Sequence, residues 1–229
     1  WAGERPAGFS TSATARITFT LSQASGQAVT LDYAMAGVTA TEGMDYVGIS
    51  GTLTFNPGDT TKTIQITING DALNETNESF NINVSALSGA TLVSPNPSVV
   101  TIQDDGDPAP IASFSASPYQ MVEGNSGTTQ VPITVNFNRQ SGQTIVLGFT
   151  TSEGGASCLG NPATAGSDYV AVTGTLTFSP GEISKSFNVT VNGDVLVENN
   201  ECLTMTLSTV SGTVSVPTPA SELRILNDD

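Results

Sequence analysis

Two sets of carboxylates recur in register along this chain. Asp45, Asp71, Glu75 and Glu78 are matched 123 residues later by Asp168, Asp194, Glu198 and Glu201. The context recurs with them. Asp-Tyr is followed by Gly-Thr-Leu-Thr-Phe-x-Pro-Gly, and then by Asn-Gly-Asp-x-x-x-Glu-x-x-Glu. Each copy closes on a β-like run that stops at paired aspartates, Asp104-Asp105 and Asp228-Asp229. Surface acids tolerate substitution freely, so acids at matching positions point to a shared task. Oxygen-only side chains gathered in loops suit a hard cation such as Ca²⁺.

Composition narrows the alternatives. The chain contains no histidine, which removes Ser-His-Asp, Cys-His and His-ligated zinc chemistry. A carboxylate-based glycosidase needs aromatic walls for its sugar, and one tryptophan, Trp1, is present. The expectation is a protein that is not an enzyme. Six basic residues stand against 21 acidic ones, a net charge of −15, so nucleic acid and anionic membranes would be repelled. No apolar run approaches the roughly 20 residues that cross a bilayer, and direct membrane insertion is not expected.

The elements that must position these acids are strands. Apolar residues make up 38% and charged residues 12%, with Thr, Ser, Val and Gly abundant. Ile17, Phe19 and Leu21 alternate with polar residues, as do Val29, Leu31 and Tyr33, then Ile64, Ile66 and Ile68. The second half repeats the order with Ile133, Val135 and Phe137, Ile145, Leu147 and Phe149, and Phe187, Val189 and Val191. Period-two runs broken by Gly, Pro and Asn turns predict an all-β protein of two tandem immunoglobulin-like antiparallel β-sandwiches. The expected domains are residues 1–107 and 108–229, joined by a short link stiffened by Pro108 and Pro110 that limits swing. Tyr46, Tyr169, Phe55 and Phe178 are expected to pack in the core or against turns.

The repeat is imperfect in two places. Gly26 and Gly142 lie 116 residues apart, so the second copy carries seven extra residues before Asp168, around residues 154–162. That insert holds Cys158 and is expected to be a surface loop. A disulfide to Cys202, or two separate thiols, both fit the cysteine count. Residues 111–122 are also long enough for an opening strand, and nothing comparable precedes Glu4. The first sandwich is therefore expected to lack most of that strand, and the chain, which does not begin with Met, to be a piece of a longer protein. Four Asn-x-Ser/Thr triplets, at Asn74, Asn77, Asn83 and Asn188, are common by chance in such a chain and carry no function here.

In order, Asp-Tyr, Gly-Thr-Leu-Thr-Phe-x-Pro-Gly, Asp-x-x-x-Glu-x-x-Glu and the closing Asp-Asp resemble the Calx-beta motif of sodium–calcium exchanger regulatory domains, integrin β4 and bacterial surface proteins. The resemblance covers nearly the whole chain, twice. It implies a seven-stranded immunoglobulin-like sandwich whose distal loops bind Ca²⁺. Carried over by position, it implies Glu4, Asp45, Asp71, Glu75, Asp104 and Asp105 as ligands in the first copy. In the second it implies Glu123, Asp168, Asp194, Glu198, Asp228 and Asp229. Glu78 and Glu201 match a further acid of the motif but begin strands, where backbone amides are the commoner partners. Where the exchangers carry runs of aspartates, this chain has Gly70-Asp71, Gly193-Asp194 and Asp104-Asp105-Gly106, which implies fewer ions or weaker binding.

Each ligand has a plain structural reading beside it. Asp45, Asp168, Asp71 and Asp194 all sit where a side chain could cap a turn. The expectation is nonetheless a calcium-binding module of a secreted or cell-surface protein with a structural or adhesive role, in contact with a protein or cell-surface partner. The competing expectation is a metal-free spacer or interaction module of the same fold.

Overall fold

The computed structural model describes residues 2–3, 12–93, 95–155 and 161–229. Glu4 and Cys158, both singled out above, lie outside them. The chain divides into two compact units, Trp1–Pro108 and Ala109–Asp229. Both are built from strands, as the alternation predicts.

The first unit contains β1 (Ala2–Gly3), β2 (Ala13–Thr20), β3 (Val29–Gly37), β4 (Ser50–Phe55), β5 (Thr61–Ile68), β6 (Glu78–Ser88) and β7 (Ser98–Gln103). One sheet runs β1-β7-β6-β3-β4, and β2 pairs with β5 in the other. The second unit contains β8 (Ala112–Phe114), β9 (Tyr119–Val122), β10 (Gly127–Phe137), β11 (Ile145–Glu153), β12 (Tyr169–Val170), β13 (Thr173–Phe178), β14 (Ser184–Gly193), β15 (Glu201–Ser211) and β16 (Ala220–Leu226). Its sheets run β13-β11-β15-β16-β9 and β12-β14-β10-β8. Pairing is antiparallel except for one parallel edge pair in each unit, β1 with β7 and β9 with β16.

Alternation fills the space between the sheets. In β10, Ile133 and Val135 are fully buried and Phe137 nearly so, while Thr134 and Asn136 point outward. In β5, Ile64, Ile66 and Ile68 are buried between exposed polar neighbours. Tyr46, Tyr169, Phe55 and Phe178 are core residues, and the Tyr46 ring stacks on Phe80 at 4.3 Å. The Pro-Gly turns repeat closely. Gly58 and Gly181 both take positive φ, and their amides donate to Ser25 and Ser141 carbonyls at 3.0 and 2.9 Å.

The ladders put the two copies in register. Ile17 faces Ile64 as Ile133 faces Phe187, and Glu78 faces Ile102 as Glu201 faces Ile225. One difference follows from β8, which pairs with β10 at Ala112, Ser113 and Phe114. In the first unit no described strand occupies the corresponding side of β2. Ile17, Phe19 and Leu21 are consequently only half-buried, where their counterparts Ile133, Val135 and Phe137 are sealed.

Cys202 is fully buried and disulfide-bonded. The one other cysteine of the sequence is Cys158. The returning end of the insert runs beside Cys202: the Ala163 amide donates to the Cys202 carbonyl at 2.8 Å, and the Cys202 amide to that of Asn161 at 3.2 Å.

Equivalent truncations should report the difference between the copies. Ile133→Ala empties a closed core and is expected to cost about 2–5 kcal/mol. Ile17→Ala, at a site already open to water, is expected to cost roughly half that or less. Urea unfolding of the two variants beside the parent chain checks this.

Candidate metal centre

The acids converge at one end of each sandwich because strand ends and short turns deliver them there. Asp45 and Asp168 occupy a tight turn before the core tyrosine. Their amides donate to the Thr41 and Thr164 carbonyls at 2.9 and 3.0 Å, and one carboxylate oxygen of each accepts the Thr41 or Thr164 amide at 2.5 Å. The asparagine of Asn-Gly-Asp fastens that turn to the end of β5 or β14. Asn69 Nδ2 donates to the Met44 carbonyl at 2.8 Å, and Asn192 Nδ2 to that of Ser167 at 2.6 Å. Both asparagine amides donate to the carbonyl of the turn aspartate, at 3.0 and 2.9 Å.

Asp71 and Asp194 each close an Asx turn, accepting the Leu73 and Leu196 amides on Oδ1 at 2.7 Å. The turn reading is therefore correct for these residues, and the second oxygen of each is left to face its neighbours. The glycine between has its own reason. A Cβ on Gly193 would stand 2.1 Å from the Gly124 carbonyl oxygen, so only glycine lets β14 approach the loop that carries Glu123.

Two triads emerge. Asp45, Glu75 and Glu78 each offer an oxygen within 4.8 Å of the others, and Asp168, Glu198 and Glu201 do the same. Glu78 and Glu201, which the sequence reading set apart as strand starts, are thus members of the clusters. The Glu-x-x-Glu spacing was the available signal: pairing of Glu78 with Ile102 and of Glu201 with Ile225 places each beside the strand that ends in the terminal acids.

Every charge that shifts Glu75, Glu123, Glu198 and Glu201 is another carboxylate. Partial burial, then Asp71, Asp45 and Asp104, push Glu75 up to about 7. Burial, then Asp194, Glu198, Asp168 and Asp228, push Glu123 up to about 7. Glu201 rises to about 8 through burial and a carboxyl–carboxyl hydrogen bond with Asp168. Glu198 is raised by burial and by Asp168. Asp105 is raised by burial, then by Asp107 and Asp104, and it shares a hydrogen bond with the Asp107 carboxyl. Two carboxyls can share such a bond only if one holds a proton or a cation takes its place. No other donor reaches either Asp105 oxygen, and Glu123 Oε1 is likewise buried without a donor. Orphaned carboxylate oxygens, with no nitrogen or sulfur ligand in either cluster, fit a hard oxygen-seeking cation.

The terminal pairs are not equivalent residue for residue. The Asp104 amide donates to Asn77 Oδ1 and the Asn227 amide to Asn200 Oδ1, both at 3.1 Å. Asp104 therefore corresponds to Asn227, Asp105 to Asp228, and Asp229 to Gly106. Main-chain amides of Glu75 and Gly106 occupy both Asp104 oxygens, at 3.3 and 3.1 Å. Asp228 is exposed and accepts the Gly124 amide at 2.9 Å. Asp229, also exposed, is held by Asn125 Nδ2. Asp107, one residue beyond Gly106, is buried against Asp105, its carbonyl held by Asn74 Nδ2 at 2.7 Å.

The Calx-beta domain profile matches residues 10–106 and again 105–229. Sodium/calcium exchanger 1 of Rattus norvegicus is 31% identical over 193 residues, 76% of this chain and 19% of the exchanger. Adhesion G-protein coupled receptor V1 of Danio rerio is 28% identical over 158 residues, 67% of this chain and 2% of the receptor. Extracellular matrix protein 3 of Lytechinus variegatus is 26% identical over 201 residues, 82% of this chain and 6% of that protein. The chain thus spans a small part of the curated relatives it matches. Among solved structures, the calcium binding domain CBD12 of CALX1.1 aligns with a TM-score of 0.40 and 22% identity, over 85% of this chain and 72% of that one. The apo-form Calx CBD1 domain aligns with a TM-score of 0.42 and 26% identity, over 53% and 100%.

A carboxyl whose pKa is raised by folding keeps its proton in the folded state after the unfolded chain has released it. Its contribution is present at low pH and is lost as pH rises through the folded value. For Glu75, Glu123 and Glu201 that window runs from about 4.5 to about 7–8. In EDTA, melting temperature should fall by several degrees between about pH 5 and pH 8. Glu201→Gln should flatten the fall for the second unit. Differential scanning calorimetry across pH checks both.

Proposed function

The chain belongs to the Calx-beta domain family along nearly its whole length, and on that premise we propose that it is a non-enzymatic, calcium-binding tandem module of a larger secreted or cell-surface protein. Its role is structural or adhesive. The observation that supports this most directly is the set of buried carboxylate oxygens that no donor other than a neighbouring carboxyl reaches, at Asp105 in the first copy and Glu123 in the second. In the first copy the proposed ligands are Asp45, Asp71, Glu75, Glu78, Asp105 and Asp107, with Asp104 accepting backbone amides beside them. In the second they are Glu123, Asp168, Asp194, Glu198, Glu201 and Asp228.

Ca²⁺ takes six to eight oxygens in flexible geometry, which tolerates carboxylates arriving from several loops. The ion supplies charge neutralisation, and the protein's part is to hold the oxygens and limit their hydration. An extracellular module needs affinity only on the order of 10⁻⁴–10⁻³ M. In this proposal, neutralised loops stiffen each sandwich end, and a protein or cell-surface partner meets a module that is rigid only where calcium is available.

A metal-free spacer draws support from the amides that occupy Asp104 and from the Asx turns of Asp71 and Asp194. The double substitution Asp104→Asn, Asp105→Asn separates the two readings. A calcium module with these changes loses calcium-dependent stabilisation of the first unit, whereas a spacer melts at the same temperature with Ca²⁺ or EDTA.

Calorimetric titration with CaCl₂ should show saturable binding, and stability should grow by RT ln(1 + [L]/Kd), about 2.7 kcal/mol at a hundredfold excess over Kd, raising the melting temperature as Ca²⁺ is added. Glu78→Gln and Glu201→Gln should each weaken binding in their own unit by about tenfold or more. Unchanged titration and melting in both variants would remove the triads from the site.

A further inference from the structure

The second copy reaches its acid cluster by a longer path than the first, and that path is tied down differently. In the first unit Val38, Thr39 and Ala40 join the end of β3 to Thr41. Their amides all donate to the Ser79 carbonyl, at 3.0, 3.1 and 3.0 Å, and Thr39 Oγ1 accepts the Ser79 amide at 2.8 Å. Ser79 directly follows the triad residue Glu78, so one short bracket sets the Asp45 turn against the start of β6. In the second unit Cys202 directly follows Glu201, and residues 154–163 replace the short bracket.

The longer segment is anchored where it leaves and where it returns. Thr204 Oγ1 donates to the Gly154 carbonyl at 2.6 Å. On the returning side the Cys202 amide donates to the Asn161 carbonyl at 3.2 Å, and the Ala163 amide to the Cys202 carbonyl at 2.8 Å. Ala163 and Cys202 are both fully buried. Cys202 is disulfide-bonded, and the other cysteine of the sequence, Cys158, falls within the insert. The residue after Ala163 then fixes a carboxylate. Thr164 donates its amide to Asp168 Oδ2 at 2.5 Å and accepts the Asp168 amide at 3.0 Å, while Asp168 shares a hydrogen bond with Glu201. Cys202 is thus one residue from one triad acid and one hydrogen-bonded turn from another. A longer connection has more conformations to lose when its ends are fixed, and a cross-link removes many of them beforehand.

We infer that the disulfide at Cys202 is a positioning element of the second cation site. It holds residues 161–164 against the start of β15 so that Asp168 meets Glu201, a task that Ser79 and Thr39 perform by hydrogen bonds in the first unit. The inference rests on the calcium reading given above and adds a condition to it: the second site depends on an oxidised cysteine pair, and the first does not. A dithiol reductant gives the pair two electrons and two protons, closes into its own disulfide, and leaves two thiols where the S–S bond stood. Two backbone hydrogen bonds then hold the returning segment, and repulsion between the Asp168 and Glu201 carboxylates works against them.

Amide resonances of the intact 229-residue chain read the two sites separately as CaCl₂ is added. In Cys158→Ser the midpoint seen at Thr164 and Asp168 should rise about tenfold or more, while that at Thr41 and Asp45 stays where it was. The parent chain refolded in dithiothreitol should match the variant. Replacing residues 154–163 by Val-Thr-Ala, together with Cys202→Ser, copies the first unit's bracket and should restore the midpoint without a disulfide. An unchanged midpoint at Thr164 and Asp168 in Cys158→Ser, however far its melting temperature falls, would make the disulfide a brace for the fold alone and overturn the inference. Hydrogen exchange in EDTA needs no cation: the Thr164 and Asp168 amides should lose protection in Cys158→Ser while the β10–β14 ladder keeps its own. A parent chain that binds no calcium would sink the calcium reading, and exchange would then decide the positioning role by itself. Selective loss at Thr164 and Asp168 sustains that role, and equal protection in parent and variant ends it.

Discussion

Like charges held close together with restricted hydration set the terms for everything else at the loop ends. Two unit charges 4.8 Å apart, the spacing within which each triad's oxygens lie, repel by roughly 3–4 kcal/mol at an effective dielectric of 20. Three such groups, with further aspartates alongside, cannot all stay ionised without compensation. Protons provide it, as the raised pKa values of Glu75, Glu123 and Glu201 express, or a divalent cation provides it without the pH dependence. The scaffold does not relax the strain by letting the loops drift. Asn69 and Asn192 fasten the Asp45 and Asp168 turns, and Thr41 and Thr164 amides hold those carboxylates in place.

Most of the architecture was legible because its signals are local. Alternation at Ile64, Ile66 and Ile68 needs nothing beyond a pleated strand with one wet face, and the Pro-Gly turns announce themselves by residue type. The site was legible as a list of acids, and less so as an arrangement. Asp-Asp at the end of each copy invites alignment of Asp104 with Asp228, whereas the register within each unit makes Asp104 the counterpart of Asn227. That one-residue offset is fixed by strand register, which a short motif does not carry. Glu78 and Glu201 read as strand starts, and they are. Their place in the acid clusters appears only when the neighbouring strand brings Ile102 and Ile225 opposite them. Gly193 reads as a turn glycine, but the reason for it is the carbonyl of Gly124, nearly 70 residues earlier in the chain. Long-range contacts of this sort leave no local mark.

The copies share a plan and differ in how each is secured. The second unit has β8 against β10 and a disulfide at Cys202, and its core is sealed at nearly every alternate position. The first has, among the described residues, no strand on the corresponding side of β2 and two separate apolar clusters, Val29, Leu31 and Phe55 forming the smaller one. Fewer buried side chains mean less hydrophobic stabilisation to set against the same chain entropy. A cation joining the Asp45 turn, the Glu75–Glu78 segment and the Asp105–Asp107 tail would therefore have most to contribute in the unit with the fewest other ties. It would cross-link three loops that no described covalent bond connects, in the unit whose described core residues are less completely buried.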